Sequence, residues 1–245
     1  MINSMWTVTE YFDGVIKSCK HHKSKETLLK IDGVDLDAID DLREFDKVVS
    51  QHYGAVCGID EAGRGSIAGP VAAAAVILDP NNPIEGLNDS KTLTPKKREA
   101  LYDEICRKAI DFRIVLVTSY VIDKTDILSA DMHAMKSAFE GLEMKNGIAL
   151  VDGDVLPEIE FDGELKNVIK GDARSEAIAA ASILAKVSRD REMSELAEKY
   201  PGYGFEKHKG YGTKAHYEAI ERLGLCPIHR RSFLKKYLEK HQDER

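Results

Sequence analysis

Hydrophobic positions along this chain follow two spacings, and the switches between them outline its elements. Over residues 35–52, Leu36, Ile39, Leu42, Phe45 and Val49 recur every three or four positions, which predicts an amphipathic helix. Tyr11, Phe12, Val15 and Ile16 predict an earlier one, so residues 1–52 read as a helical N-terminal extension. Short apolar runs then predict strands over 55–60 and 70–78, and the brief glycine turn between them favours an antiparallel hairpin. The alanines from Ala72 to Ala75 give the second strand a low relief against which a helix can pack. Thr94 and Pro95 have the form of a cap and first helical residue, so a helix is expected to about residue 109. A strand is expected over 112–120, a helix over 126–142, and strands over 148–152 and 168–170. A long helix should follow over 173–200, with small residues at 179–182 near its start. Residues 201–212 read as a Pro/Gly/Tyr loop, and 213–223 and 231–240 as helices. Three successive strands, then strands alternating with helices, predict an α/β fold on a mixed sheet of about five strands, the first three antiparallel, flanked by helices.

Composition narrows the class. A chain of 245 residues with 43% hydrophobic content can bury a full core in one domain with a small appendage. No apolar run reaches the roughly 18 residues of a membrane span, and the first residues lack the basic and apolar regions of a secretory signal, so a cytoplasmic protein is expected. Cys19, Cys57, Cys106 and Cys226 form no CxxC pair, which points away from a zinc site or a disulfide framework. A net charge of −7 excludes polyanion binding over the whole surface. The charge is uneven: residues 164–245 hold 17 basic against 13 acidic side chains, residues 58–163 hold 11 against 19, and residues 1–57 hold 7 against 10. An acidic centre beside a basic C-terminal third suits a carboxylate metal site flanked by a phosphate-binding surface. Solvated helix faces of mixed charge give the same counts.

The chemistry concentrates in Gly58-Ile59-Asp60-Glu61-Ala62-Gly63-Arg64-Gly65. Side chains alternate along a strand, so Asp60 and Glu61 share one metal-sized space only where the backbone begins to turn. The glycines allow that turn and leave main-chain N–H groups bare, with the Arg64 guanidinium beside them. Asp152 closes a later strand and Asp172 precedes the long helix, both at strand ends where α/β sheets form sites. Carboxylates gathered there repel unless protonated or bridged by cations. Two Mg²⁺ or Mn²⁺ ions about 3.5–4 Å apart would satisfy them and act on a phosphodiester. The alternative is that Asp152 and Asp172 merely cap turns. Lys186, Arg189 and Arg191 lie near one helical face and are candidate phosphate contacts; Lys91, Lys207 and Lys209 are weaker ones.

Longer motifs add to this. Asp-Glu-Ala-Gly-Arg-Gly at 60–65, Asn-Asp-Ser-Lys at 88–91, Val151-Asp152-Gly153, Lys170-Gly171-Asp172, Ala-Ala-Ala-Ser-Ile-Leu-Ala-Lys-Val-Ser-Arg-Asp-Arg at 179–191 and Tyr-Pro-Gly-Tyr-Gly-Phe-Glu-Lys-His-Lys-Gly-Tyr-Gly-Thr at 200–213 occur in that order. Between about residues 53 and 233 the chain resembles the type 2 ribonucleases H, most closely ribonuclease HII. The resemblance implies a ribonuclease H-like sheet as the catalytic domain over 53–245, its C-terminal helical region from about 196, with 1–52 as an extension outside it. It implies Asp60, Glu61, Asp152 and Asp172 as catalytic ligands of two divalent ions, Mn²⁺ or Mg²⁺, with Asp154 a nearby competitor for Asp152. Gly63, Arg64 and Gly65 would read the ribose 2′-OH. Tyr211 would stack on the deoxyribose after the ribonucleotide; without the resemblance it would pass for a loop or core aromatic.

The implied activity is cleavage of the RNA strand of RNA–DNA hybrids and of the 5′ side of single ribonucleotides in duplex DNA. A monomer is the default expectation, and nothing in the sequence shows whether a sliding clamp is recruited. Ser66 departs from the proline of many relatives. The extension is too short for the platform domain of ribonuclease HIII, and Tyr211 also favours HII. A hybrid nuclease without junction preference and a non-catalytic hybrid-binding module remain the rival readings. His208 and His229 are expected to be structural or phosphate-facing, since a metal-bound water needs no histidine base.

Overall fold

Six strands hydrogen-bond into one mixed sheet in a computed structural model, which describes residues 9–12, 21–22 and 28–242. The strands are β1 (Thr9–Phe12), β2 (His21–His22), β3 (Val56–Ala62), β4 (Val71–Ile77), β5 (Asp111–Val117), β6 (Ile148–Asp152), β7 (Leu156–Pro157) and β8 (Glu164–Val168). Their order is β1-β5-β4-β3-β6-β8, while β2 pairs with β7. β3, β4 and β5 form the expected antiparallel meander, and β6 and β8 add in parallel beyond β3. The helices are α1 (Leu42–Tyr53), α2 (Pro95–Lys108), α3 (Ser119–Lys124), α4 (Ile127–Glu140), α5 (Glu176–Lys199), α6 (Phe205–His208), α7 (Lys214–Leu223) and α8 (Arg231–Gln242).

Alternation along the central strands builds a core on each face. Cys57, Ile59, Val71, Ala73, Ala75, Val115 and Val117 pack against Met132, Met135 and Phe139 of α4. Ala72, Ala74, Val76, Ile114 and Leu116 pack instead against α2 and against Ile183, Leu184 and Val187 of α5. The small strand residues let α5 lie very close. A Cβ at Gly58 would stand 2.1 Å from the Ala177 carbonyl carbon, so that position has room for hydrogen alone. Capping follows sequence: the Asp41, Thr94, Asp126, Ser175 and Thr213 side chains accept from main-chain N–H groups of α1, α2, α4, α5 and α7.

Several expectations need correction. Tyr11 and Phe12 belong to β1, which runs parallel to β5, and not to a helix; Val15 and Ile16 lie outside the described residues. Four residues of extended chain gain main-chain partners from β5, which an isolated helical turn would not. The helix expected over 35–52 is split into a 3-10 turn at Leu36–Ala38 and α1, because Asp41 caps a fresh start. The strand expected over 112–120 stops at Val117 and gives way to α3. That expected over 168–170 is β8, which ends at Val168; Lys170 takes a left-handed conformation (φ +54°) and bends the chain. The loop over 201–212 contains α6.

Residues 28–52 pack on the sheet beside β6 and on the start of α5. Phe45 and Val49 join Ile148, Leu150 and Ile178 in a third core. The Asp46 carboxylate accepts from Ala177 N–H at 2.7 Å, at the start of α5, and Arg43 bridges to Glu176 and the Ile84 carbonyl. Among the described residues no helix is long and apolar enough to cross a membrane.

Candidate active site

Three carboxylates from separate parts of the chain meet at one end of the sheet. Asp60 projects from β3 toward the α5 side, Asp152 ends β6, and Asp172 sits in a 3-10 turn at Gly171–Ala173. One oxygen from each lies within 4.8 Å of the others. The bend at Lys170 makes this possible, because it brings Gly171 N–H to Asp152 Oδ1 at 2.6 Å. Asp60 and Asp172 are buried, and Lys91 reaches in from an exposed loop to Asp172 Oδ2 at 2.9 Å. Burial, then the charges of Glu61 and Asp152, push Asp60 well above the ordinary carboxylate range. Burial and Asp172 likewise raise Asp152, against the pull of Gly171 N–H and Lys91. Asp154 stands outside the cluster. All the donors are hard oxygens held close together, so the set fits Mg²⁺ or Mn²⁺ and does not suit zinc.

Glu61 is not among the three whose oxygens lie within that distance. It follows Asp60 on β3, and its carboxylate still hydrogen-bonds the Asp60 side chain and feels the charge of Asp152. It also stands 3.6 Å from Arg64 Nη1, and burial raises its pKa while Arg64 opposes the rise. Arg64 Nε is also 3.3 Å from Oδ2 of Asp131, a fully buried acid on α4.

The glycine turn is held from behind by two buried arginines. Arg230 donates to the carbonyls of Gly69 and Arg64 at 3.0 and 2.9 Å. Arg189 donates to the carbonyls of Pro70, Lys209 and Ala68 at 2.8, 2.9 and 3.2 Å. Gly63 (φ +95°) has no alternative residue here, since a Cβ would strike the Arg189 guanidinium. Gly65 and Arg64 face outward, and Ile67 N–H donates to the Gly210 carbonyl at 2.9 Å, tying this turn to the loop that carries Tyr211. The Tyr211 ring is 39% exposed and lies 5.6 Å from Arg189 Cζ. Its carbonyl is held by a histidine pair. Cys226 N–H donates to His229 Nδ1, which leaves the His229 proton on Nε2 to meet His216 Nε2 at 3.1 Å. The His216 Nδ1 proton then goes to the Tyr211 carbonyl at 2.9 Å. Burial lowers both imidazoles to about 4, so both are neutral.

The basic candidates fare unequally. Arg189 is completely buried with its donors committed to carbonyls, which corrects its expected role as a phosphate contact. Lys186 pairs with Asp190 at 2.6 Å, and Arg191 pairs with Glu99 and lies over the Tyr102 ring. Lys209 donates to the Asp190 carbonyl and to Ser194. Sequence reasoning missed Asp131 and Arg230. A carboxylate within the apolar stripe of Ile127, Leu128, Ala130, Met132 and Met135 was the available signal for the first; Arg230 offered none.

The ribonuclease HII family model matches residues 57–236. The chain belongs to the ribonuclease HII family. It is 52% identical over 193 residues to the ribonuclease HII of Caldicellulosiruptor bescii, spanning 79% of this chain and 93% of that one. Among solved structures, the ribonuclease H2 of Pyrococcus horikoshii superimposes with a TM-score of 0.66 at 31% identity, over 77% of this chain and 99% of that one. A ribonuclease HII of Archaeoglobus fulgidus, solved in complex with PCNA, gives 0.59 at 26% identity over 72% and 93% of the two chains. As a family member the protein is a metal-dependent ribonuclease H, a hydrolase acting on RNA–DNA hybrids.

Proposed function

We propose that this ribonuclease H is an endonuclease that cuts the RNA strand of hybrids and also the 5′ side of single ribonucleotides embedded in duplex DNA. Water attacks phosphorus in line, leaving 5′-phosphate and 3′-hydroxyl ends. The supporting observation is the convergence of Asp60, Asp152 and Asp172 beside a turn tied to the Tyr211 loop. With Glu61 they would hold two divalent ions, Mn²⁺ or Mg²⁺. Such ions, when bound, polarise the phosphodiester, lower the pKa of water and stabilise the leaving oxygen.

The chain's own groups do the recognition in this reading. The main chain of Gly63, Arg64 and Gly65 reads the ribose 2′-OH without regard to base. The half-exposed Tyr211 ring stacks on the deoxyribose that follows, and the fixed carbonyl behind it sets where the ring stands. Lys91 steadies the acids and meets a phosphate once cations take over its place. Lys186 and Arg191 lie along the approach to Tyr211 and contact the more distant backbone. The protein works as a cytoplasmic monomer, with residues 28–52 bracing the catalytic part. The relative solved with PCNA makes a sliding clamp the partner to test.

A duplex with one embedded ribonucleotide, incubated with and without Mn²⁺ and mapped to the nucleotide, decides the matter. A single ion-dependent cut on the 5′ side of the ribonucleotide is expected. Cleavage of long hybrids alone would mean a nuclease without junction preference, and binding without any cut would mean a recognition module.

A further inference from the structure

Asp131 is an acid where the fold has no structural need of one. Its neighbours Ala130, Met132, Ala134 and Met135 belong to the core between α4 and the sheet. Its side chain is fully buried, and neither oxygen accepts a well-formed hydrogen bond. A buried carboxylate in that condition costs stability that an apolar residue of similar volume would not. It lies against Arg64, Nε to Oδ2 at 3.3 Å; burial and then the Glu61 charge raise its pKa, and Arg64 and Arg230 oppose that rise.

Arg64 is therefore shared. Arg230 fixes its main-chain carbonyl, so only the side chain is left to move, and its guanidinium stands between Asp131 at 3.3 Å and Glu61 at 3.6 Å. Glu61 stands at the edge of the converged trio, its carboxylate hydrogen-bonded to the Asp60 side chain, and Arg64 is the cation that would draw it away. Without a competing anion the guanidinium could close on Glu61 in a bidentate pair, the geometry arginine favours with carboxylates.

We propose that Asp131 is a positioning residue that holds Arg64 back from Glu61 and so keeps the Glu61 carboxylate available to the divalent-ion centre. The inference rests on the ribonuclease reading of the site. Its test uses the full-length, substrate-free protein, with Mn²⁺ affinity read from the electron paramagnetic resonance of the free ion. Asp131→Asn keeps the shape and removes the competing carboxylate; it is expected to weaken Mn²⁺ binding about tenfold, and the same change in an Arg64→Gln background by less than about twofold. Asp131→Thr, smaller and neutral, gives the same pattern if the asparagine variant fails to fold. Unchanged affinity in D131N, or an equal loss in both backgrounds, overturns the proposal. Ribonucleotide cleavage by the wild-type protein checks the underlying reading separately, so a normal cut with unaltered D131N ion binding defeats this inference alone.

Discussion

Lys91 Nζ lies 2.9 Å from Asp172 Oδ2, so an ammonium on an exposed loop tempers the repulsion within the buried acidic cluster. That repulsion is a cost of keeping the site ready. Replacing Asp60 or Asp172 by Asn is therefore expected to lower turnover by several orders of magnitude while the melting temperature holds or rises. Steady-state kinetics beside thermal unfolding checks it; marked unfolding would make these acids structural.

The same cluster gives stability a pH dependence. Asp60, Glu61 and Asp152 are raised on folding, so the folded state holds their protons more tightly than the unfolded chain. Their contribution is fully present below the ordinary carboxylate pKa and is lost as pH rises through the raised values. His216 and His229, lowered to about 4, act oppositely: their contribution is present above the free imidazole value and is lost as pH falls toward 4. Mn²⁺ offsets only the first effect. The rise in melting temperature on adding Mn²⁺ should be larger at pH 8 than at pH 5.5, and Asp60→Asn should remove most of that difference. Equal stabilisation at both pH values would contradict it.

Arg189 is a brace and not a substrate contact. Arg189→Met removes three charge-assisted hydrogen bonds and orphans the Pro70, Ala68 and Lys209 carbonyls, so a loss of at least about 3 kcal/mol in urea unfolding is expected. A stable variant with only a raised KM would show that the guanidinium turns outward.

Tyr211 should matter most at the junction. Tyr211→Ala is expected to cost about 1–3 kcal/mol of stacking there, reducing cleavage at single ribonucleotides more than on long hybrids. Parallel kinetics on the two substrates measures it, and equal losses would remove the sensing role.

The meander, the long helix and the three converging acids were legible because each is written locally: strand runs, the Thr94 and Ser175 caps, and acids at strand ends. What escaped depends on distant partners. Tyr11 and Phe12 are extended only because β5 offers them a ladder, and α3 follows Val117 with no strong helical period to announce it. Arg189 shares a helical face with Lys186 on paper, yet the turn at 63–70 folds over it and takes its donors. The turn expected at Asp60 and Glu61 comes later, because the ladder to β4 carries on to Ala62 paired with Ala72, yet the two carboxylates remain in contact.

The pairing of Thr9–Phe12 with Ile114–Val117 also shields a flank. With those four residues in place, the Ile114–Val117 stretch of the outer rim of β5 no longer offers an open row of amide and carbonyl groups to a second chain. A protein lacking only residues 1–12 would bare that row, and sedimentation should find it clustering where the full chain stays dispersed.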